Sequence, residues 1–446
     1  MAPDLINCET LGTMRIGTLL LAAATCTVAL QGAAGAAPSP RHDRETPIER
    51  VQAIAADSVV DAYGVGIHTN FLDTPYRDAD AVAAAVKDLG VRHVRDDLYL
   101  DAPRQYAAIR TVAAAGARFD LILGRPDGAA TPADYVATVA RLAPGAVESI
   151  EGVNEWDLKG GDGWVPEMVG WQRGIWEAAR ANPATADLPV LSPALAFRWN
   201  YAAVDDLSPW SDFANAHMYP GGHRPTTEIA RILQALLGTV PGRPVVTTEA
   251  GYHNAVNARS SHPAVPEDVA GAYLPRLLLE HVALGDHRMY SYELIDSFDD
   301  PGLTNPEAHF GLLRHDLSPK PAYVAMKRLL HRLADPGPSF DPGSLAFRVD
   351  GLPADGRTLL TQKRNGRFVL LLWRDVTLYD PAKKAYLPAT ASDVTLQLAR
   401  RARMVVRRPS EPGFTAPVTR GRSLPLRLDG QVTAVTIEPR LLNPPG

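Results

Sequence analysis

Eight short apolar runs, spaced by longer segments of helical periodicity, dominate the sequence from residue 57 to 335. The runs are 63–68, 91–95, 119–123, 149–153, 188–191, 213–217, 244–248 and 288–292. Between them, residues 78–89, 102–115, 132–142, 165–181, 226–237 and 266–284 repeat apolar positions at helical spacing. Gly90, Gly116 and Gly285 follow three of these segments as C-terminal stops. Strand alternating with helix implies parallel pairing through right-handed crossovers, and eight such units close a (β/α)₈ TIM barrel. An open doubly wound sheet has the same periodicity, but no G-x-G-x-x-G turn follows the first run.

After Pro338 the texture changes. Runs at 358–363, 368–373, 393–398 and 432–437 alternate with turn residues, and no long helical pattern appears. Residues 340–446 therefore read as an antiparallel β-sandwich domain, which the segment near 51–60 is placed to join. Residues 38–56, polar and bearing proline, arginine and glutamate, read as a linker. Arg15, the apolar stretch 17–30 and the small residues 32–37 form the three parts of a signal peptide over residues 1–37. Met14 stands just before Arg15 and is an alternative start. Both cysteines, Cys8 and Cys26, fall in this leader, so a mature secreted chain would have no disulfide and no cysteine nucleophile. An uncleaved anchor, or lipid attachment at Cys26, is the alternative fate of this segment.

With 21% charged residues, a net charge of −5 and no long run of like charge, nothing suggests nucleic acid as a partner. No stretch is long and apolar enough to be a convincing membrane span. Oligomeric state is not legible.

Functional side chains of such barrels sit at the C-terminal ends of the strands. The fourth strand leads into Asn154-Glu155-Trp156, the sixth into His217-Met218-Tyr219, the seventh into Glu249 and the second into Arg95-Asp96-Asp97. Two glutamates at the ends of separate strands match what glycoside hydrolysis requires: one carboxyl group protonated, one ionised, flanking a single anomeric carbon. Arg95 is placed to keep Glu249 ionised, Tyr219 to hydrogen-bond it and Asn154 to bind a sugar hydroxyl. His68 and His217 are candidate lining residues, with buried structural histidines as the plainer reading. Trp156, Trp164 and Trp171 are candidate sugar-stacking residues, and Trp171 reads better as core. His253 and Asn254 stand where they would reach the cleft. Asp296, Asp299 and Asp300 form either a solvated loop, a substrate contact or a calcium site.

Asn154-Glu155, His217-x-Tyr219 and Glu249, in this order and on these strands, resemble clan A glycoside hydrolases. Arg95 is similar to the second-strand arginine of such families. Gly311-Leu312-Leu313 followed by Pro319-Lys320-Pro321-Ala322-Tyr323 resembles their approach to the last barrel helix. A barrel followed by a β-sandwich is similar to families 39, 30 and 79, and the barrel alone to family 5. The resemblance implies Glu155 as general acid/base, Glu249 as nucleophile, no cofactor and a carbohydrate substrate. Tyr292 stands where many clan members carry a tryptophan platform. The competing readings are a metal-dependent barrel hydrolase, weakened by a lone His68 where His-x-His is expected, a non-catalytic carbohydrate-binding barrel and a transglycosylase.

Overall fold

The structure is a computed structural model and describes residues 47–260 and 262–439. The expected signal peptide, Met14 and both cysteines lie outside those residues.

The eight runs form eight parallel strands: Tyr63–Gly66, His93–Leu98, Arg118–Leu123, Val147–Glu151, Val190–Leu191, Ala214–His217, Val245–Ala250 and Arg288–Ser291. Neighbours pair in sequence order, and the eighth pairs with the first. The fifth and sixth meet through a parallel bridge between Leu191 and Phe213, which closes the barrel. Strands buried on both faces read as nearly continuous apolar runs; Val245–Ala250 is buried at every position. Gly64 is required by the packing inside, because a Cβ there would lie 2.3 Å from the Tyr290 ring.

Helices follow the strands with their expected caps. The Asp78 carboxylate accepts from Ala81 N at 3.0 Å to start Ala79–Leu89, and Gly90, at φ +83°, ends it. Thr131 and Asp134 form a capping box on Pro132–Ala146. The fifth connection has no α-helix; two 3₁₀ turns, Arg198–Ala203 and Ser208–Trp210, take its place. No helical segment was expected there.

A second, mostly antiparallel sheet is built from Ser344–Asp350, Gly356–Gln362, Phe368–Arg374, Ser392–Arg407, Thr419–Leu428 and Thr433–Pro439. The stretch 38–56 expected as linker ends inside this sheet. Glu49–Gln52 pairs antiparallel with Ser344–Asp350, and Ile54–Ala55 pairs parallel with Gly356–Gln362. These strands are too short to carry a period, so only the partner strands reveal them. Phe368–Arg374 is buried on both sides. Phe368, Leu370 and Leu372 fill the β domain, while Val369, Leu371 and Trp373 continue the barrel core. Trp373 Nε1 donates to Glu280 Oε1 at 2.7 Å, tying the sheet to helix Glu267–Leu284.

Candidate active site

The ends of strands two, four, six and seven converge on one guanidinium. Arg95 Nε and Nη2 donate to Glu151 Oε2 and Oε1 at 2.6 and 2.7 Å. Its Nη1 donates to Glu249 Oε1 at 2.6 Å, and Nη2 also donates to Asn154 Oδ1 at 2.7 Å. A planar fork suits two carboxylates at once and fixes both. Glu151 is fully buried and takes a further hydrogen bond from Asn215 Nδ2 at 2.9 Å. Glu249 is completed by the Tyr219 hydroxyl, which donates to Oε2 at 2.7 Å.

Glu155 faces Glu249 across this arrangement. His217 Nδ1 lies 2.6 Å from Glu155 Oε1 and 3.5 Å from Glu249 Oε2. One oxygen of each glutamate and a His217 nitrogen all lie within 4.8 Å of one another. The backbone of Glu155 is left-handed, φ +46° and ψ +47°. For a residue with a Cβ that conformation costs about 1–2 kcal/mol, and such outliers gather where function constrains geometry. Its surroundings hold it: Glu155 N donates to Ala194 O at 3.0 Å, and the Asp157 carboxylate accepts from Ala196 N and Phe197 N at 2.9 and 3.1 Å.

Electrostatics separate these groups. Burial pushes Glu155 up, but the charge and hydrogen bond of His217, with Arg95 behind them, draw it below the ordinary carboxylate value. Burial pushes His217 down, but Glu249 and Glu155 hold it above the usual histidine range. The short His217–Glu155 contact thus sets an imidazole raised above its usual range beside a carboxylate drawn below its own, a pair between which a proton can pass.

Arg95, Asn154, Glu155, Tyr219 and Glu249 line a cleft of about 390 Å³, with His68, Phe71, Tyr292 and Phe310 on its walls. His68 stacks on Phe71 at 4.4 Å and lies 3.0 Å from Glu293 Oε2. Burial disfavours its charge, yet Glu293 raises it to about 9. Tyr292 lines the same cleft as Asn154, its ring 5.3 Å from the Phe310 ring. Thus Arg95, Asn154, Glu155, Tyr219, Glu249, His68 and Tyr292 face one cleft, and His217 stands directly behind it.

Trp156 does not. It is 2% exposed, and its Nε1 donates to Glu167 Oε2 at 2.9 Å. The left-handed turn at Glu155 sends the next side chain inward, under helix Trp164–Ala181, so Trp156 is core and not a sugar platform. Trp171 is core, as expected. His253 and Asn254 are buried away from the cleft, bonded to His262 O and Val265 O. Asp296 pairs with buried Lys320 at 2.8 Å, and Asp300 accepts from Thr304 N and Asn305 N, closing its own loop.

Sequence reasoning missed Glu151, Glu293, Glu307, His262 and Phe310. Glu151 carried a signal, a carboxylate inside an apolar strand run. The others sit on segments without periodicity. Among the described residues, Glu155, His217 and Glu249 are the one group whose ligand atoms could converge on a cation. Arg95 and Tyr219 already donate to both oxygens of Glu249, so a cation would compete with them.

No family model matches the sequence, and no curated protein matches it. Solved structures do. A family 39 glycoside hydrolase from the gut symbiont Bacteroides cellulosilyticus WH2 superposes with a TM-score of 0.60 at 16% identity, over 87% of this chain and 82% of that one. A monomeric β-xylosidase from Caulobacter crescentus CB15 gives 0.59 at 16% identity, over 89% and 98%. A glucosidase from Croceicoccus marinus gives 0.54 at 11% identity, over 88% and 97%. The chain shares their fold. It is the fold that the resemblance to clan A implied: a (β/α)₈ barrel followed by an antiparallel β domain. Among the described residues, no helix is long and apolar enough to cross a membrane.

Proposed function

We propose that the chain is a secreted, retaining glycoside hydrolase acting on O-glycosidic bonds of an oligo- or polysaccharide. One observation carries the reading: oxygens of Glu155 and Glu249 approach within 4.8 Å across the barrel mouth. Double displacement uses carboxyl groups about 5–5.5 Å apart, whereas inversion needs about 6.5–9.5 Å to admit a water. Export rests on the leader-like pattern of residues 1–37.

Glu249, fixed by Arg95 and Tyr219, attacks the anomeric carbon. Glu155 takes the proton held on His217, 2.6 Å away, and delivers it to the departing oxygen, which leaves Glu155 ionised. A sugar filling the cleft displaces water from Glu155, which disfavours its charged form and moves that proton onto the carboxyl group. In the second half, Glu155 deprotonates the water that cleaves the glycosyl–Glu249 ester, and the sugar leaves with its configuration retained. Asn154 and Tyr292 are assigned to the sugar ring. Trp199, 63% exposed and stacked on Phe197 at 4.9 Å, stands on the segment that Asp157 fixes beside Glu155. It offers a flat apolar face to the leaving group, or to an acceptor sugar in transglycosylation.

The purified protein, screened on aryl glycosides and polysaccharides, should turn over at least one of them, with the first-formed product of unchanged anomeric configuration by NMR. Glu249→Gln should abolish that turnover while a non-hydrolysed sugar still binds. Turnover that survives Glu249→Gln removes Glu249 as nucleophile. Binding without turnover on any substrate favours the non-catalytic barrel.

A further inference from the structure

A cleft larger than the candidate active site, about 570 Å³, opens where the last barrel helix, Pro321–Leu333, meets the β domain. Lys327 and His331, in the second half of that helix, reach Asp88 at the C-terminal end of helix Ala79–Leu89. The whole chain carries a net charge of −5, yet this cleft is cationic. Lys327, Arg328 and Arg332 line it from the helix, Lys363, Arg407 and Arg408 from the sheet, and among the described residues Glu411 is its single carboxylate.

Two of these cations are already neutralised. Lys327 pairs with Asp88 at 2.6 Å, and Arg408 with Glu411 and Asp429 at 2.7 and 2.9 Å. The other four are not. Among the described residues, Arg328, Arg332, Lys363 and Arg407 have no carboxylate within 4.0 Å; Lys363 and Arg407 reach only the carbonyls of Ala334 and Val406. Arg332 is half-buried, and both its burial and the repulsion of Arg407 draw it below the usual arginine value. Burial does the same to Lys363; Asp335 attracts it, while Arg332 and Arg367 repel it. Partly desolvated cations that repel one another and lack a counter-charge make an electropositive cavity poised for an anion. Phe414 adds an apolar surface on the same wall.

We propose that this cleft binds an anionic oligosaccharide, seating two or more of its carboxylate or sulfate groups at once on Arg328, Arg332, Lys363 and Arg407. Four unpaired cations from two walls demand a multivalent ligand, and the mixture of guanidinium groups with an aromatic wall suits charged sugar rings better than a bare ion. The proposal goes beyond the catalytic reading and does not depend on it, since binding is measured without turnover.

Calorimetry on the full chain tests it, with oligogalacturonate, a sulfated oligosaccharide of equal length, monomeric galacturonate and inorganic phosphate as probes. At least one oligomer should bind more tightly than monomer or phosphate, and raising the salt should weaken it. Arg332→Gln with Arg407→Gln should weaken that binding about tenfold or more, while turnover of a small neutral aryl glycoside stays unchanged. Arg328→Gln, at an exposed position, should weaken it as well and keeps the test valid if the double variant is unstable. No saturable binding of either oligomer, undiminished binding by both variants, or equal affinity for inorganic phosphate would overturn the proposal.

Discussion

The two ends of the barrel carry chemically similar networks with different surroundings. At the C-terminal end Arg95 and His217 face Glu151, Glu249 and Glu155. At the N-terminal end Arg288 and His93 face Glu148 and Asp61: His93 lies 2.8 Å from Glu148 and 3.0 Å from Asp61, and Arg288 Nη1 lies 3.1 Å from Glu148. The lower network is balanced, with two cations for two carboxylates. The upper one has a carboxylate to spare, opens into a cleft and includes a residue in a strained backbone conformation. An arginine, a histidine and glutamates do not by themselves make a site; surplus charge with room for a ligand does. The lower end reads as stability, as the N-terminal face of a (β/α)₈ barrel generally does.

Three substitutions sharpen that contrast. Glu249→Gln should have the largest effect, a fall in kcat of about 10⁴-fold or more, with the melting temperature little changed because the Gln oxygen still accepts from Arg95 and its NH2 can donate to the Tyr219 hydroxyl oxygen. Glu151→Ala should destabilise the protein by about 3–5 kcal/mol, because it removes the fully buried partner that holds two nitrogens of Arg95. It should also reduce kcat, since Glu249 loses its orientation. Glu148→Ala at the other end should destabilise by about 1–3 kcal/mol and leave kcat/KM intact. Denaturant unfolding and steady-state kinetics on the same preparations check both. A rate defect from Glu148→Ala equal to that from Glu151→Ala would erase the distinction between the ends.

His217→Asn should lower kcat by about 10²-fold or more, the usual scale of a general-acid contribution. The basic limb of the kcat/KM–pH profile should move to lower pH. In the wild type the last proton of the pair is held by an imidazole raised above its usual range by Glu249 and Glu155. In the variant only the carboxyl group of Glu155 remains to hold it. A limb that stays in place, or moves up, would remove His217 from the proton store.

Much of the upper network is legible in the sequence, and the lower one is not. Eight apolar runs carry the strand order, and a strand-end rule brings Arg95, Asn154, Glu155, His217, Tyr219 and Glu249 together from four stretches of sequence. What stayed hidden depends on side-chain direction or on loops. Glu151 sits inside a strand run, and whether it faces the barrel interior follows only from register. Trp156 looked like a cleft residue because it follows Glu155, but a left-handed φ at Glu155 reverses the direction of its neighbour. Glu293, His262 and Phe310 come from aperiodic segments after strands seven and eight, where spacing carries no information about what faces the cleft.

The smallest predicted effect is a pH dependence of stability at the lower end. Burial pushes His93 down, but hydrogen bonds to Asp61 and Glu148 raise it above the usual histidine value. A raised folded-state pKa contributes stability that is complete below the unfolded histidine value, about 6.5, and is lost as pH rises through the folded value. Asp61 runs the other way. The His93 hydrogen bond, against the opposing effect of burial, draws it to about 2, so its contribution is present above its ordinary value and is lost as pH falls toward 2. Both contributions coexist between about pH 4 and 6.5. The stability gap between wild type and His93→Gln should therefore be widest near pH 5 and should narrow toward pH 9, measured by urea unfolding at each pH. A gap of constant size across that range would mean that folding leaves the His93 pKa unshifted, and one that instead narrowed toward pH 5 would mean that His93 is neutral in the folded protein; either would make the lower network a set of hydrogen bonds and not a charge-balanced counterpart of the site above it.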